Sequence, residues 1–272
     1  DGPDAPVDRT AVAPEGVAPT ASPDRETLPV WSPDGERIAF VRQSESSCGI
    51  HVVASSGGAD SRIADCGQGG VISIDWSGSS LILSERESPL GPGRAFLVDA
   101  NSGERSKLLE DVRASIEEVV FSPDGKRLAF SVSPSLGVED LYIRPLTSGE
   151  STRVTRENLK IHGFDWLPDG SGFIVSSNRG GEFALWRVAI DGSEWPLVPG
   201  AIGGADEPRV SAWGRMVYEV WRTESSVVRA DAAGSLAPVS PSTRRDWDGE
   251  LSPDGRKIAF LSDRSGSAEV WV

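Results

Sequence analysis

A phrase built on Ser-Pro-Asp-Gly returns along this chain at a nearly fixed interval, and that interval restricts the fold more than any local pattern does. Residues 30–40 read VWSPDGERIAF; the phrase recurs at 120–130 as VFSPDGKRLAF and at 250–260 as ELSPDGRKIAF. A looser copy is DWLPDGSGFIV at 165–175, and two degenerate ones are DWSGSSLIL at 75–83 and RVSAWGRMVY at 209–218. The apolar residue before each turn serves as a marker: Trp31, Trp76, Phe121, Trp166, Val210 and Leu251, spaced by 45, 45, 45, 44 and 41 residues.

Each unit reads as four short strands. An inner strand ends at the marker and the Pro-Asp-Gly turn follows, with Pro fixing φ and Asp-Gly accepting left-handed dihedrals. A second strand comes next, such as 38–42 or 128–132, then a third, such as 141–145 or 185–190. A second Gly turn then leads to an outer strand. Val, Ile and aromatic residues dominate these runs, as half-buried pleated surfaces favour, and no amphipathic helix of useful length is visible. A period of 41–45 residues with four strands per unit predicts an all-β fold, a six-bladed β-propeller with four antiparallel strands per blade. The sixth unit stops after its third strand, 269–272, while an Asp-Gly turn and a short apolar run at 6–12 stand at the other end. The expectation is therefore one domain over 1–272, in which residues 1–27 supply a closing strand for the last blade and a surface loop, since closure removes exposed strand edges. The chain starts at Asp1 without a Met or a visible signal peptide, and reads as a processed or trimmed fragment.

The phrase SPDG-x-x-[IL]-A-F, followed by a Gly turn about 22 residues later, resembles the repeats of TolB and related bacterial propellers over about residues 28–272. The segments LYIRPLTSGESTRVT (141–155), FIVSSNRGGEFALWRV (173–188) and 242–272 are more narrowly similar to the C-terminal propellers of CadC-like winged-helix regulators. Similar propellers also follow some bacterial serine/threonine kinases. In TolB the mouth of the central channel receives a peptide segment of partner proteins. The resemblance thus implies a sensory or protein-interaction module of a bacterial signalling or transcriptional regulator. A TolB-like envelope scaffold, or the propeller of a peptidase or lyase, is the alternative, and no specific residue is carried over.

Charge narrows the partners. Asp and Glu number 41 against 27 Lys and Arg, a formal net charge of −14 that repels phosphate backbones and anionic membranes. Nucleic-acid binding by this domain is not expected. No apolar run approaches the length of a membrane span, so membrane insertion is not expected either. The excess of negative charge serves solubility or favours a cationic protein or peptide partner.

Cys48 and Cys66 flank a hairpin centred on Gly57, which places them opposite each other. Opposed residues of an antiparallel pair lie within disulfide range. A Cys48–Cys66 bond would point to a periplasmic or otherwise extracytoplasmic location; two buried thiols are the other reading.

Candidate chemistry is sparse. His51 and His162 fall in different units without metal-ligand spacing, no G-x-S-x-G elbow occurs, and neither a catalytic residue nor a metal site is expected. The turn aspartates 34, 124, 169 and 254 repeat with the period and read as turn formers. Arg179 and Arg264, in loops between second and third strands, are expected to bond loop carbonyls. Trp31, Trp76 and Trp166 are expected in the core. The segments leading into the inner strands carry Glu117, His162, Asp206, Glu207, Asp246, Trp247 and Asp248. Gathered around a channel mouth, these carboxylates with one indole would suit a cationic peptide side chain through charge pairing and cation–π contact. Ca²⁺ is the runner-up ligand, because it accepts carboxylate oxygens in flexible geometry. No other cofactor is expected.

Overall fold

The computed structural model describes residues 19–109, 114–135, 137–147, 149–156, 159–193, 195–201, 203–221, 227–230, 235–239, 245–262, 264–265 and 269–272. All regular structure among them is strand. The first unit forms the sheet β1 (Arg25–Trp31), β2 (Arg37–Gln43), β3 (Cys48–Ala54) and β4 (Ser61–Asp65). The second forms β5 (Val71–Ser77), β6 (Ser80–Arg86), β7 (Gly93–Asp99) and β8 (Arg105–Leu109). The third forms β9 (Ser115–Phe121), β10 (Arg127–Ser135), β11 (Val138–Pro145) and β12 (Thr152–Arg153). Within each, neighbours in sequence are antiparallel neighbours in space.

Among the described residues, the expected four-stranded sheet holds for these three units and not for the later ones. The fourth unit pairs β13 (Ile161–Trp166), β14 (Gly172–Gly180) and β15 (Glu182–Ala189). Its outer segment makes only the isolated bridge Trp186–Leu197, because Pro196 and Pro199 have no N–H to extend a ladder. The fifth splits into two separate pairs, β16 (Ala205–Val210) with β17 (Met216–Val220), and β18 (Val228–Ala230) with β19 (Leu236–Pro238). The sixth has β20 (Asp246–Leu251), β21 (Ile258–Ser262) and β22 (Glu269–Trp271). The expected closing strand at 6–12 lies outside the described residues.

The Pro-Asp-Gly turns have the structural role their periodicity predicts. The Ser32 hydroxyl donates to Asp34 Oδ1 at 2.5 Å, and the same oxygen accepts the Glu36 N–H at 3.0 Å. Gly35 holds φ at 74°. Ser122 with Asp124 and Ser252 with Asp254 repeat these contacts. The hydroxyl bond, joined by the backbone N–H, holds each of these carboxyls below the usual carboxylate range.

The core lies in the seams between sheets. One apolar cluster joins the first and second units around Ile50, Trp76 and Leu83, a second joins the second and third around Ile82, Leu128 and Phe130. A third joins the third and fourth around Leu141, Phe164, Trp166 and Phe173, and a fourth joins the fourth to the fifth. The guanidinium of Arg37 lies over Trp76 at 5.0 Å and that of Arg127 over Trp166 at 4.9 Å, so the preceding sheet covers each marker indole. Trp31 departs from its expected core place: it is 57% exposed and faces the central cavity. Among the described residues no seam cluster covers it.

Cys48 and Cys66 form a disulfide with Cα atoms 5.2 Å apart. The β3–β4 ladder pairs Gly49 with Asp65 and Ile50 with Ala64, and the Cys66 N–H donates to Cys48 O, which places the two cysteines opposite each other.

Candidate functional site: an acidic central channel

The innermost strands contact one another in series, β1 to β5 to β9 to β13 to β16. Between them lies a cavity of about 1040 Å³. An innermost strand has one edge without a ladder partner, so its N–H groups need other acceptors. Side chains of the preceding unit supply them. Phe121 N–H donates to Asp75 Oδ2 at 2.7 Å, Phe164 N–H to Glu118 Oε2 at 3.0 Å, and Val210 N–H to Asp165 Oδ2 at 2.7 Å. Carboxylates thus stitch neighbouring sheets along the channel wall.

Every innermost strand also carries a register shift two to four residues before its marker, as between Ile161 and Phe164 or Asp206 and Arg209. Such bulges re-aim side chains. Leu28, Glu207 and Asp248 adopt positive φ there, as does Gly163 at 106°. A Cβ on Gly163 would lie 3.0 Å from the Glu207 Cα, so only glycine admits this approach of β16 to β13.

The bulges bring Glu117, His162, Asp206 and Glu207 to the cavity lining. Glu117 is bidentate with Arg86 Nη2, at 2.8 and 3.0 Å. The His162 ring stacks on Phe183 at 3.9 Å, and its Nδ1 lies 3.2 Å from Asp206 Oδ2. Burial pushes the His162 imidazole down, against the pull of Asp206. Asp206 also accepts from the Ser176 hydroxyl and the Glu207 N–H. The other three candidates are not part of that lining. Asp246 is buried and bidentate with Arg264 at 2.9 and 3.0 Å. Trp247 packs under the Arg245 guanidinium at 5.0 Å, and Asp248 is exposed. Arg264 also donates to the Ser262 hydroxyl and lies over Phe260 and Trp271; Arg179 lies over Trp195.

The centre of the channel holds residues the periodicity reading passed over. Arg209 Nη2 lies 2.8 Å from Glu118 Oε1 and 3.4 Å from Glu207 Oε2. Burial alone would lower the Arg209 guanidinium, but Glu118, Glu207, Asp165 and Asp75 outweigh it and hold the group above its ordinary value. Enclosure pushes Glu207 up to about 8, with the Glu118 charge adding to the effect. It pushes Glu139 up to about 7 and Asp165 up to about 6. Asp75 and Glu118 are raised for the same reason. Asp75 and Asp165 stand directly before their marker tryptophans, so the repeated Asp-Trp pair was the available sequence signal. Glu118 stands three residues before its marker, as Glu207 and Asp248 do, and Arg209 stands one before, as Asp75 and Asp165 do; Glu139 carries no periodic signature. Among the described residues no group of three or more His, Cys, Asp or Glu is placed to hold a metal ion.

Radial seams of antiparallel sheets around a side-chain-lined channel define a β-propeller with a polar axial site. Residues 90–272 match the TolB beta propeller domain, and the chain belongs to that family. In solved structures it is similar to TolB from Acinetobacter baumannii, with a TM-score of 0.62 and 19% identity over 93% of this chain and 57% of that one. It is also similar to a TolB candidate from Agrobacterium tumefaciens, with a TM-score of 0.58 and 20% identity over 93% of this chain and 82% of that one. An uncharacterized protein of Agrobacterium fabrum is 32% identical over 152 residues, which span 52% of this chain and 49% of that protein. No helix among the described residues is long and apolar enough to cross a membrane.

Proposed function

We propose that this chain is a non-catalytic interaction propeller of six blades that receives a cationic segment of a protein or peptide at the acidic mouth of its channel. The observation that carries this reading is the charge of the lining. Among the described residues, Asp75, Glu117, Glu118, Glu139, Asp165, Asp206 and Glu207 face two arginines, Arg209 and Arg215. Carboxylates crowded in a concave, partly dehydrated channel repel one another, and an incoming guanidinium or ammonium relieves them more than it would on a flat surface. Asp248 and Trp247, at the corresponding bulge of β20, are proposed as outer contacts of the same ligand.

The Cys48–Cys66 bond supports an extracytoplasmic setting. Together with the resemblance of 141–155, 173–188 and 242–272 to regulator propellers, it favours the sensory domain of a bacterial regulator. A TolB-like envelope scaffold would use the same channel in the same way.

Titration calorimetry with a short Arg-containing peptide tests the reading. At pH 9, where both carboxyls are ionised, binding should weaken at least about tenfold in Glu207→Gln/Glu139→Gln, and its salt dependence should shrink. Equal affinity of wild type and double variant, or of the Arg peptide and a neutral counterpart, would place the binding surface elsewhere.

A further inference from the structure

The fifth turn breaks the rule of the Pro-Asp-Gly turns. Ser211 and Gly214 reproduce the Ser32 and Gly35 geometry: Ser211 N–H donates to Arg215 O, Gly214 N–H to Ser211 O, and Gly214 has φ 74°. Trp213 stands where the intact turns carry the aspartate that accepts the Ser hydroxyl and a backbone N–H. An indole accepts neither bond, so the substitution gives the turn nothing in exchange. Nor does it give packing, because Trp213 is 92% exposed. Soluble surfaces seldom hold an unsupported indole at a turn tip. Trp213 nevertheless lines the channel cavity, at the end opposite the acidic bulges, together with Trp31, Pro33 and Val217. Trp31 and Val217 are themselves 57% and 70% exposed.

We infer that the turn-side mouth is a second, aromatic subsite, which grips an apolar side chain of the same segment whose cationic residue sits among the channel carboxylates. The inference rests on the cation-binding role proposed above, and the continuity of the single cavity carries it further. From Asp206 and Glu207 to Ser211 the chain advances four or five residues, about 15 Å at the rise of an extended strand, before the turn that carries Trp213. The ligand class is therefore an extended peptide with a Lys or Arg and a Leu or aromatic residue about five positions apart. The acidic end sets the charge and the aromatic end sets the spacing.

The test uses fluorescein-labelled peptides with one Arg and one Leu separated by about four Gly and Ser residues, in both orders, each with a Leu-to-Ala counterpart. Fluorescence polarisation is read at pH 9, where Glu207 is ionised, on wild type, Trp213→Asp and Glu207→Gln. Trp213→Asp restores the aspartate of the other turns, so its thermal melt should match wild type. In one order, wild type should bind the Leu peptide about five- to thirtyfold more tightly than its Ala counterpart. That ratio should fall to about one in Trp213→Asp. Glu207→Gln should weaken both peptides alike and leave the ratio intact. Equal binding of Leu and Ala peptides by wild type overturns the aromatic subsite whatever the variants do, while cation binding stands. Failure of wild type to bind any Arg peptide removes both readings. A wild-type dimer that Trp213→Asp dissolves would assign the indole to self-association, and would also overturn the inference.

Discussion

Replacing Asp165 by Asn isolates the energetic cost of carrying charge inside the channel. Asp165 accepts the Val210 N–H at 2.7 Å and the Trp166 N–H at 2.8 Å, so it cannot move to water without releasing both. Burial pushes its carboxyl from 3.8 up to about 6. A folded-state value above the unfolded one means that the native state holds a proton the unfolded state has lost. Its stabilising contribution is complete below 3.8 and disappears as pH rises through about 6. The full difference corresponds to about 3 kcal/mol, of which about 2 kcal/mol falls between pH 4.5 and pH 7.5. The amide of Asn does not titrate. It loses one acceptor at a cost that is the same at every pH and cancels in the comparison. Urea denaturation of both proteins at pH 4.5, 6 and 7.5 should therefore show the variant gaining about 2 kcal/mol on wild type across the range. A gap that stays constant would refute a buried, ionising carboxyl at this position and with it the account of a dehydrated channel.

Three other outcomes follow from the same geometry. The double replacement Cys48→Ser/Cys66→Ser opens a loop with a sequence separation of 18 and should cost about 3 kcal/mol in denaturant melts; thiol counting on the unreduced, denatured parent should find none. Phe173 is fully buried against Trp166, with ring centres 4.3 Å apart, and Phe173→Ala should cost about 3–5 kcal/mol by calorimetric melting. Glu207, pushed up to about 8, is largely neutral at pH 7, so calorimetry should find Arg-peptide affinity rising between pH 6.5 and 9; a flat profile would remove Glu207 from the site.

Residue chemistry and spacing alone determined the all-β architecture, the turns and the cysteine pairing. These depend on local rules: Pro-Asp-Gly restricts dihedrals at the site where it stands, and a hairpin centred on Gly57 fixes which residues oppose. Half of the acidic site was legible in the same way, because Glu117, His162 and Asp206 stand four residues before their markers and Glu207 three. The remainder required tertiary structure. Phase specifies where along a strand a residue lies, whereas a bulge specifies which way it points. The bulges place Glu207 in the channel, while Asp246 is buried beneath Arg264 in a different sheet. Arg209 comes from the fifth unit and Glu118 and Glu139 from the third, and Arg209 meets Glu118 only once the sheets are arranged around the axis. Their shifted protonation depends on how little water that arrangement leaves between them. Trp31 makes the same point in the apolar core: it shares the phase of Trp76 and Trp166, yet those two are covered by the preceding sheet and, among the described residues, it is not. Burial is a property of the neighbour, and the repeat does not encode the neighbour.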